Sequence, residues 1–259
     1  MAQQSINSYR ALDPDKLIRT TEKLAQRIGE RFPEAGLYRV AQELLDAAHM
    51  ATANSAALRR PIPWVRVVDA VIIMMITVLL GVTLVRIELT ITGIGVWDFI
   101  QVLEAGINDV ILIGAALFFL LTLEKRIKRG RALKDLHELR SLAHVVDMHQ
   151  LTKDPDRISS QRRSTPSSPQ HTLAAHDLGR YLDYCSELLA VIGKLAALYV
   201  QNFDDAVVLS SVDEIESLTN GLSRKIWQKV MILYEIHPEA MGASEEGVGR
   251  SEERRVGKE

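Results

Sequence analysis

Two stretches of this chain run without a formal charge for longer than an exposed helix in water tolerates: sixteen residues between Asp69 and Arg86, and fourteen between Asp109 and Glu124. A helix needs about twenty residues at 1.5 Å each to cross roughly 30 Å of hydrocarbon. Val67–Val85, VVDAVIIMMITVLLGVTLV, has that length, with Asp69 its one formal charge and close to one end. The second run, VILIGAALFFLLTL from Val110 to Leu123, reaches it when its helix starts near Ala105, which puts Asn108 and Asp109 at the far interface. A buried core helix accounts for fourteen apolar residues in isolation. It does not account for a run paired with a longer neighbour and bounded by charges. The sequence therefore predicts an all-α chain built on a two-span transmembrane helical hairpin, with spans at about 67–86 and 105–123.

Basic residues resist translocation, so their distribution sets the orientation. Arg59, Arg60 and Arg66 precede the first span, and Lys125, Arg126, Lys128, Arg129, Arg131 and Lys134 follow the second, whereas the connection has Arg86 alone. Both termini are expected in the cytoplasm. The connection, about twenty residues, is too short for a folded external domain. Trp64 and Trp97 fall where interfacial aromatics sit, one on each side. Apolar sequence begins only near Val67, too late for a cleavable signal, so the first span is expected to be an uncleaved signal anchor. Asp69 and Asp109 are the intramembrane polar candidates; each lies within about one turn of an interface, where a carboxylate reaches water by snorkelling. Gly81, Gly106 and Gly114 offer small surfaces for helix contact, but no G-x-x-x-G joins them.

The near-neutral balance, a net charge of -2, gives no electrostatic case for a nucleic-acid partner. A single cysteine, Cys185, excludes an intramolecular disulfide framework and any multi-cysteine metal site. No glycine-rich phosphate loop, G-x-S-x-G elbow or zinc-finger spacing is present.

The polar remainder reads as helices. In residues 1–62, Asp13 and Pro14 form an N-cap and first-turn pair, Leu17, Leu24 and Ile28 mark a helix that Pro33 and Gly36 interrupt, and a second helix resumes near Leu37. Beyond the hairpin of 63–124, residues 125–151 extend the second span as a juxtamembrane helix with Leu136, Leu139, Ala143 and Val146 on one stripe. Residues 152–173, rich in Ser, Pro and Arg, read as a flexible linker. In 174–236, Leu178, Leu182, Cys185, Leu189, Ile192, Ala196 and Tyr199 form a heptad seam. After a turn at Asn202–Asp205, a second seam runs from Val208 to Leu233, and Ser211 with Glu214 matches a capping box. An antiparallel hairpin follows, whose seams are to be covered by the N-terminal helices and the juxtamembrane extension in a cytoplasmic bundle, or by a second copy. Residues 237–259 form a disordered tail, and its last ten, RSEERRVGKE, resemble a translated sequencing adapter.

One polar constellation stands out. On a helical wheel His137, Arg140, His144 and Asp147 fall within about 80 degrees of one another, beside the Leu136/Ala143 stripe, while His149 points away. His137, His144 and Asp147 are the candidate metal ligands, with His176 and Asp177 across the linker available to complete a site. Amphipathicity explains the same residues as an Arg140/Asp147/His network at the edge of the bundle. Cys185 on its seam reads as a small buried hydrophobe, and Tyr181, Tyr184 and Tyr199 as bundle and rim residues.

ALKDLHELRSLAHVVDMHQLTKDP, LGRYLDYCSELLAVIGKLAALY and VDEIESLTNGLSRKIWQKVMIL resemble bacterial double-pass membrane proteins of uncharacterised function. The resemblance implies an inner-membrane location and no particular activity or catalytic residue. Amphipathic helices without converging catalytic groups fit a non-catalytic, membrane-anchored scaffold that recruits a protein partner or assembles with itself. No cofactor is implied. Two alternatives remain: an oligomeric pore or transport accessory, which requires Asp69, Thr77 or Asp109 to face an interior between copies, and a metal-dependent membrane enzyme built on His137, His144 and Asp147.

Overall fold

The computed structural model describes residues 11–88, 96–155 and 173–238, and the regular elements among them are all helices. The adapter-like terminus and residues 156–172 of the linker fall outside the described residues. Helix α1, Pro14–Arg31, starts at Asp13, whose carboxylate accepts from the backbone N–H groups of Asp15 and Lys16 at 3.1 and 3.2 Å. Pro14 occupies the first helical position, where a missing N–H removes no bond. The helix stops where the Phe32 N–H turns back to the Ile28 carbonyl at 2.7 Å and Pro33 follows. Then come α2, Gly36–Arg59; α3, Pro63–Glu88; α4, Val96–Leu151; α5, Ala175–Asn202; and α6, Ala206–Ile236.

Two boundaries differ from the sequence reading. The α4 helix begins at Val96, ahead of the expected start near Ala105, which cuts the connection between the apolar helices to residues 89–95. Val96, Ile100, Leu103 and Ile107 recur at helical steps and no proline interrupts them, so the helical pattern wins over a loop. The last helix begins at Ala206, not at Ser211. Asp205 caps it, accepting from the Val207 and Val208 N–H groups at 3.1 and 3.2 Å, and Ser211 lies inside the helix, where backbone N–H groups are already bonded.

The chain divides into two units, residues 1–57 with 132–259, and residues 58–131. In the first, α5 and α6 form the expected antiparallel pair joined by Phe203–Asp205. Every seam residue from Leu178 to Tyr199 is buried, as are Val208, Val212, Ile215, Leu222, Ile226, Val230 and Leu233. The other elements of the unit supply the cover. The α1 helix runs antiparallel to α5: Arg27 meets Glu187 at 2.6 Å, Arg31 meets Asp177 at 2.9 Å, and the Gln201 amide takes both backbone groups of Leu12. Phe32 sets its ring edge-on against Tyr181 and Tyr184. Residues 132–151 of α4 bury Leu136, Leu139, Ala143 and Val146, each at most 2% exposed. One carboxylate oxygen of Asp135 there accepts from Asn54 on α2 at 2.9 Å and from the Tyr199 hydroxyl on α5 at 3.0 Å, joining three helices. Tyr199 is thus a core residue, 1% exposed, and Tyr181 and Tyr184 are buried with it rather than on the rim.

In the second unit, Glu124 is the fastening. Its carboxylate accepts from the Ile62 N–H at 3.3 Å, from Arg66 Nε at 3.3 Å and from Lys128 Nζ at 2.9 Å. Leu58, Ile62, Val65 and Leu120 are buried around this end. Farther along, the apolar side chains are open: Val71, Met74, Met75 and Val78 on α3, and Val110, Ile111, Leu112 and Phe118 on α4, are each more than half exposed. Only 6% of the most apolar window of each helix is buried within the protein, and both are long and apolar enough to cross a membrane. A Cβ built at Gly81, Gly106 or Gly114 meets nothing within 4 Å, so these glycines serve no close helix contact among the described residues.

Leu182→Ala, in the seam with 0% exposure, should destabilise the first unit by roughly 2–5 kcal/mol, and Asp205→Ala by about 1 kcal/mol through the lost cap. Urea unfolding of the solubilised chain checks both; a Leu182→Ala effect no larger than that of an exposed-site substitution contradicts the packing described.

Candidate functional site

The His137 face is ordinary helix surface rather than a connected network. His137 and His144 are exposed, Arg140 reaches across to Glu214 on α6 at 2.9 Å, and Asp147 accepts from the Gln150 amide at 2.6 Å. The expected Arg140/Asp147/His network therefore gives way to two separate pairings, because Arg140 and Asp147 each have a nearer partner on a packed neighbour or one turn along. Asp177 is taken up by Arg31. Among the described residues no group of three or more His, Cys, Asp or Glu side chains gathers where a metal ion would need them, so His137, His144 and Asp147 are not assembled into a ligand set.

His149, which the wheel set apart, has the more structured surroundings. It packs against the first turn of α2 so closely that a Cβ at Gly36 would lie 2.5 Å from its Cε1. A side chain at position 36 would have to displace the imidazole. A concavity of about 510 Å³ opens beside them, lined by Phe32, Pro33, Gly36, His149, Lys153 and Tyr181 among others. Lys153 holds its ammonium 5.2 Å from the centre of the Tyr181 ring. Burial pushes the Tyr181 phenol well above its ordinary range, and burial with the nearby Lys153 charge pushes the His149 imidazole down. The concavity brings together an imidazole, an ammonium and an aromatic floor. Among the described residues its lining carries one carboxylate, Glu34, and so no carboxylate pair of the kind glycosyl transfer needs.

Lys229 on α6 closes the C-terminal end of α4, donating to the carbonyls of Gln150 at 2.8 Å and Lys153 at 3.3 Å. Desolvation lowers its pKa, opposed by Asp154 and Asp147. Cys185 is fully buried, and desolvation raises its thiol to about 12 against the weaker pull of Lys229 and Lys153. That thiol is inert packing. Asp135, Glu124 and Lys229 are the polar residues that sequence reasoning passed over: nothing in the local pattern separates them from neighbouring surface charges, and their roles depend on partners 58 to 81 residues away.

Within the apolar helices, Thr77 donates to the Ile73 carbonyl at 2.8 Å and Asp109 is exposed. One oxygen of Asp69 is buried and has no hydrogen-bond partner. On the first unit, the outward face of α6 carries Trp227 and Met231, one turn apart and 57% and 62% exposed, and α4 carries Met148 at 67%. Compared with known proteins, the chain matches no family model, no curated protein and no solved structure.

His149 gives the first unit a pH dependence of fixed sign. Its folded pKa lies below the ordinary value near 6.5, so the unfolded chain binds that proton more readily. Stability should fall as pH drops through 6.5 toward the folded value and level off below it, and His149→Gln should flatten that segment of the profile. Urea midpoints between about pH 5 and 8 provide the check; an unchanged slope in the variant contradicts the assignment.

Proposed function

We propose that this chain is a membrane-anchored helical interaction protein of the bacterial inner membrane: a double-pass hairpin formed by α3 and α4 fixes a cytoplasmic helical bundle, and the bundle recruits a protein partner. The observation that carries the reading is the uncovered apolar surface of α3 and α4, of which 6% of each most apolar window is buried by protein. A soluble protein does not leave contiguous apolar area of that size in water. A core helix is mostly buried, and these are not. The lysine and arginine asymmetry supports cytoplasmic termini. The bundle supports recruitment rather than catalysis, since its seams are covered by its own helices while Trp227, Met231 and Met148 stay exposed. Exposed tryptophan and methionine are the residue types that dominate protein–protein contacts.

Crosslinking in native membranes, with capture through a tag after Gly249, tests this. The chain should remain with membranes through alkaline carbonate and bring down a defined protein, and Trp227→Asp with Met231→Asp should remove that protein while leaving urea stability unchanged. Release by carbonate contradicts the anchor; capture of the chain alone contradicts recruitment and favours self-assembly.

A further inference from the structure

The Glu124 fastening does more than join two helix ends, because it gathers basic segments that lie some sixty residues apart in sequence. Residues 58–66 and 124–131 contain eight arginines and lysines and one carboxylate, Glu124 itself. Glu124 is engaged by Arg66 and Lys128. Arg59, Arg60, Lys125 and Arg131 are exposed and meet no carboxylate among the described residues. Arg126 leans its guanidinium back along α4 to 5.5 Å from the centre of the Phe119 ring, a cation–π contact at the border of the apolar helix. Trp64, 57% exposed, stands in the first turn of α3 at the same end. The unit therefore carries a cluster of exposed positive charge next to its uncovered apolar surface.

We infer that this basic collar, Arg59, Arg60, Lys125, Arg126 and Arg131, binds the phosphates of anionic phospholipid headgroups and so selects anionic lipid around the hairpin. The inference rests on the membrane-anchored reading above. Charge complementarity names the occupant: a collar of unpaired cations bordering an apolar helix pair fits a surface that is itself apolar within and negatively charged at its rim. Guanidinium groups pair with phosphate oxygens through two N–H donors at once, and each surface cation contributes about a fivefold preference in binding to an anionic bilayer. The collar is more than a topology signal, since the fastening brings cations from both sides of the hairpin onto one headgroup layer.

The test is quenching of Trp64 by brominated lipids, in the full chain with Trp97→Phe and Trp227→Phe so that Trp64 reports alone. The probes are brominated phosphatidylglycerol and brominated phosphatidylcholine in mixed vesicles. Phosphatidylglycerol should associate at least about fivefold more strongly, and the preference should collapse toward one in 1 M salt, where the screening length is about 3 Å. Arg59→Gln, Arg60→Gln, Lys125→Gln, Arg126→Gln and Arg131→Gln together should abolish it, while Arg59→Lys, Arg60→Lys, Arg126→Lys and Arg131→Lys should keep it. Should the glutamine variant fail to insert, the salt series and the lysine variant decide. Equal quenching by the two lipids overturns the collar and leaves the anchor standing, as does a preference that survives both salt and the glutamine variant. No quenching by either lipid overturns the anchor, and the collar with it.

Discussion

Apolar helix surface has to be covered by something, and the cover that α3 and α4 receive from protein ends within a few turns of Glu124. At that end Val65 and Leu120 are buried and one carboxylate takes three donors, two of them charged. Lys128 is only 12% exposed and Glu124 19%, so removing Glu124 would leave the Lys128 ammonium without this carboxylate where water reaches poorly. Beyond it the two helices present valine, methionine, leucine and phenylalanine outward. The polar end is fastened and bordered by cations; the apolar length is left uncovered by protein.

The other unit solves the opposite problem, covering amphipathic seams in water. It does so with the chain's own helices, and its polar contacts set register more than they add stability. Arg27–Glu187 and Arg31–Asp177 are largely exposed pairs of the kind that contribute at most about 1 kcal/mol. Their value is in fixing α1 along α5. Asp135 differs, since it meets the hydroxyl of a fully packed tyrosine and an amide on a third helix, and Lys229 differs again by satisfying the last carbonyls of α4. The faces left over are apolar without being core, and the Trp227–Met231 pair is the clearest of them.

Much of this was legible in the sequence because helical periodicity reports burial directly. The seam from Leu178 to Tyr199 and the stripe from Leu136 to Val146 could be read residue by residue, as could the Asp13 cap. Boundaries were harder where two signals competed: Ser211 and Glu214 match a capping box, yet Asp205, directly after Asn202-Phe203-Asp204, comes six residues earlier and caps first. The candidate site was the least legible part. His137, His144 and Asp147 share a wheel face, but sharing one face of one helix does not bring ligands together. The residues with structured surroundings, His149 beside Gly36 and Asp135 beneath Tyr199, depend on contacts between distant segments that no local spacing encodes.

Cysteine accessibility in spheroplasts reads out whether α3 and α4 are two spans with the bundle inside. Cys185 is buried and its thiol is raised to about 12, so the native background should stay silent. With an impermeant maleimide, Thr92→Cys between α3 and α4 should react in intact spheroplasts, and Ser141→Cys on α4 only after permeabilisation. Labelling of Ser141→Cys from outside, or protection of Thr92→Cys until the membrane is opened, would contradict the hairpin and its orientation.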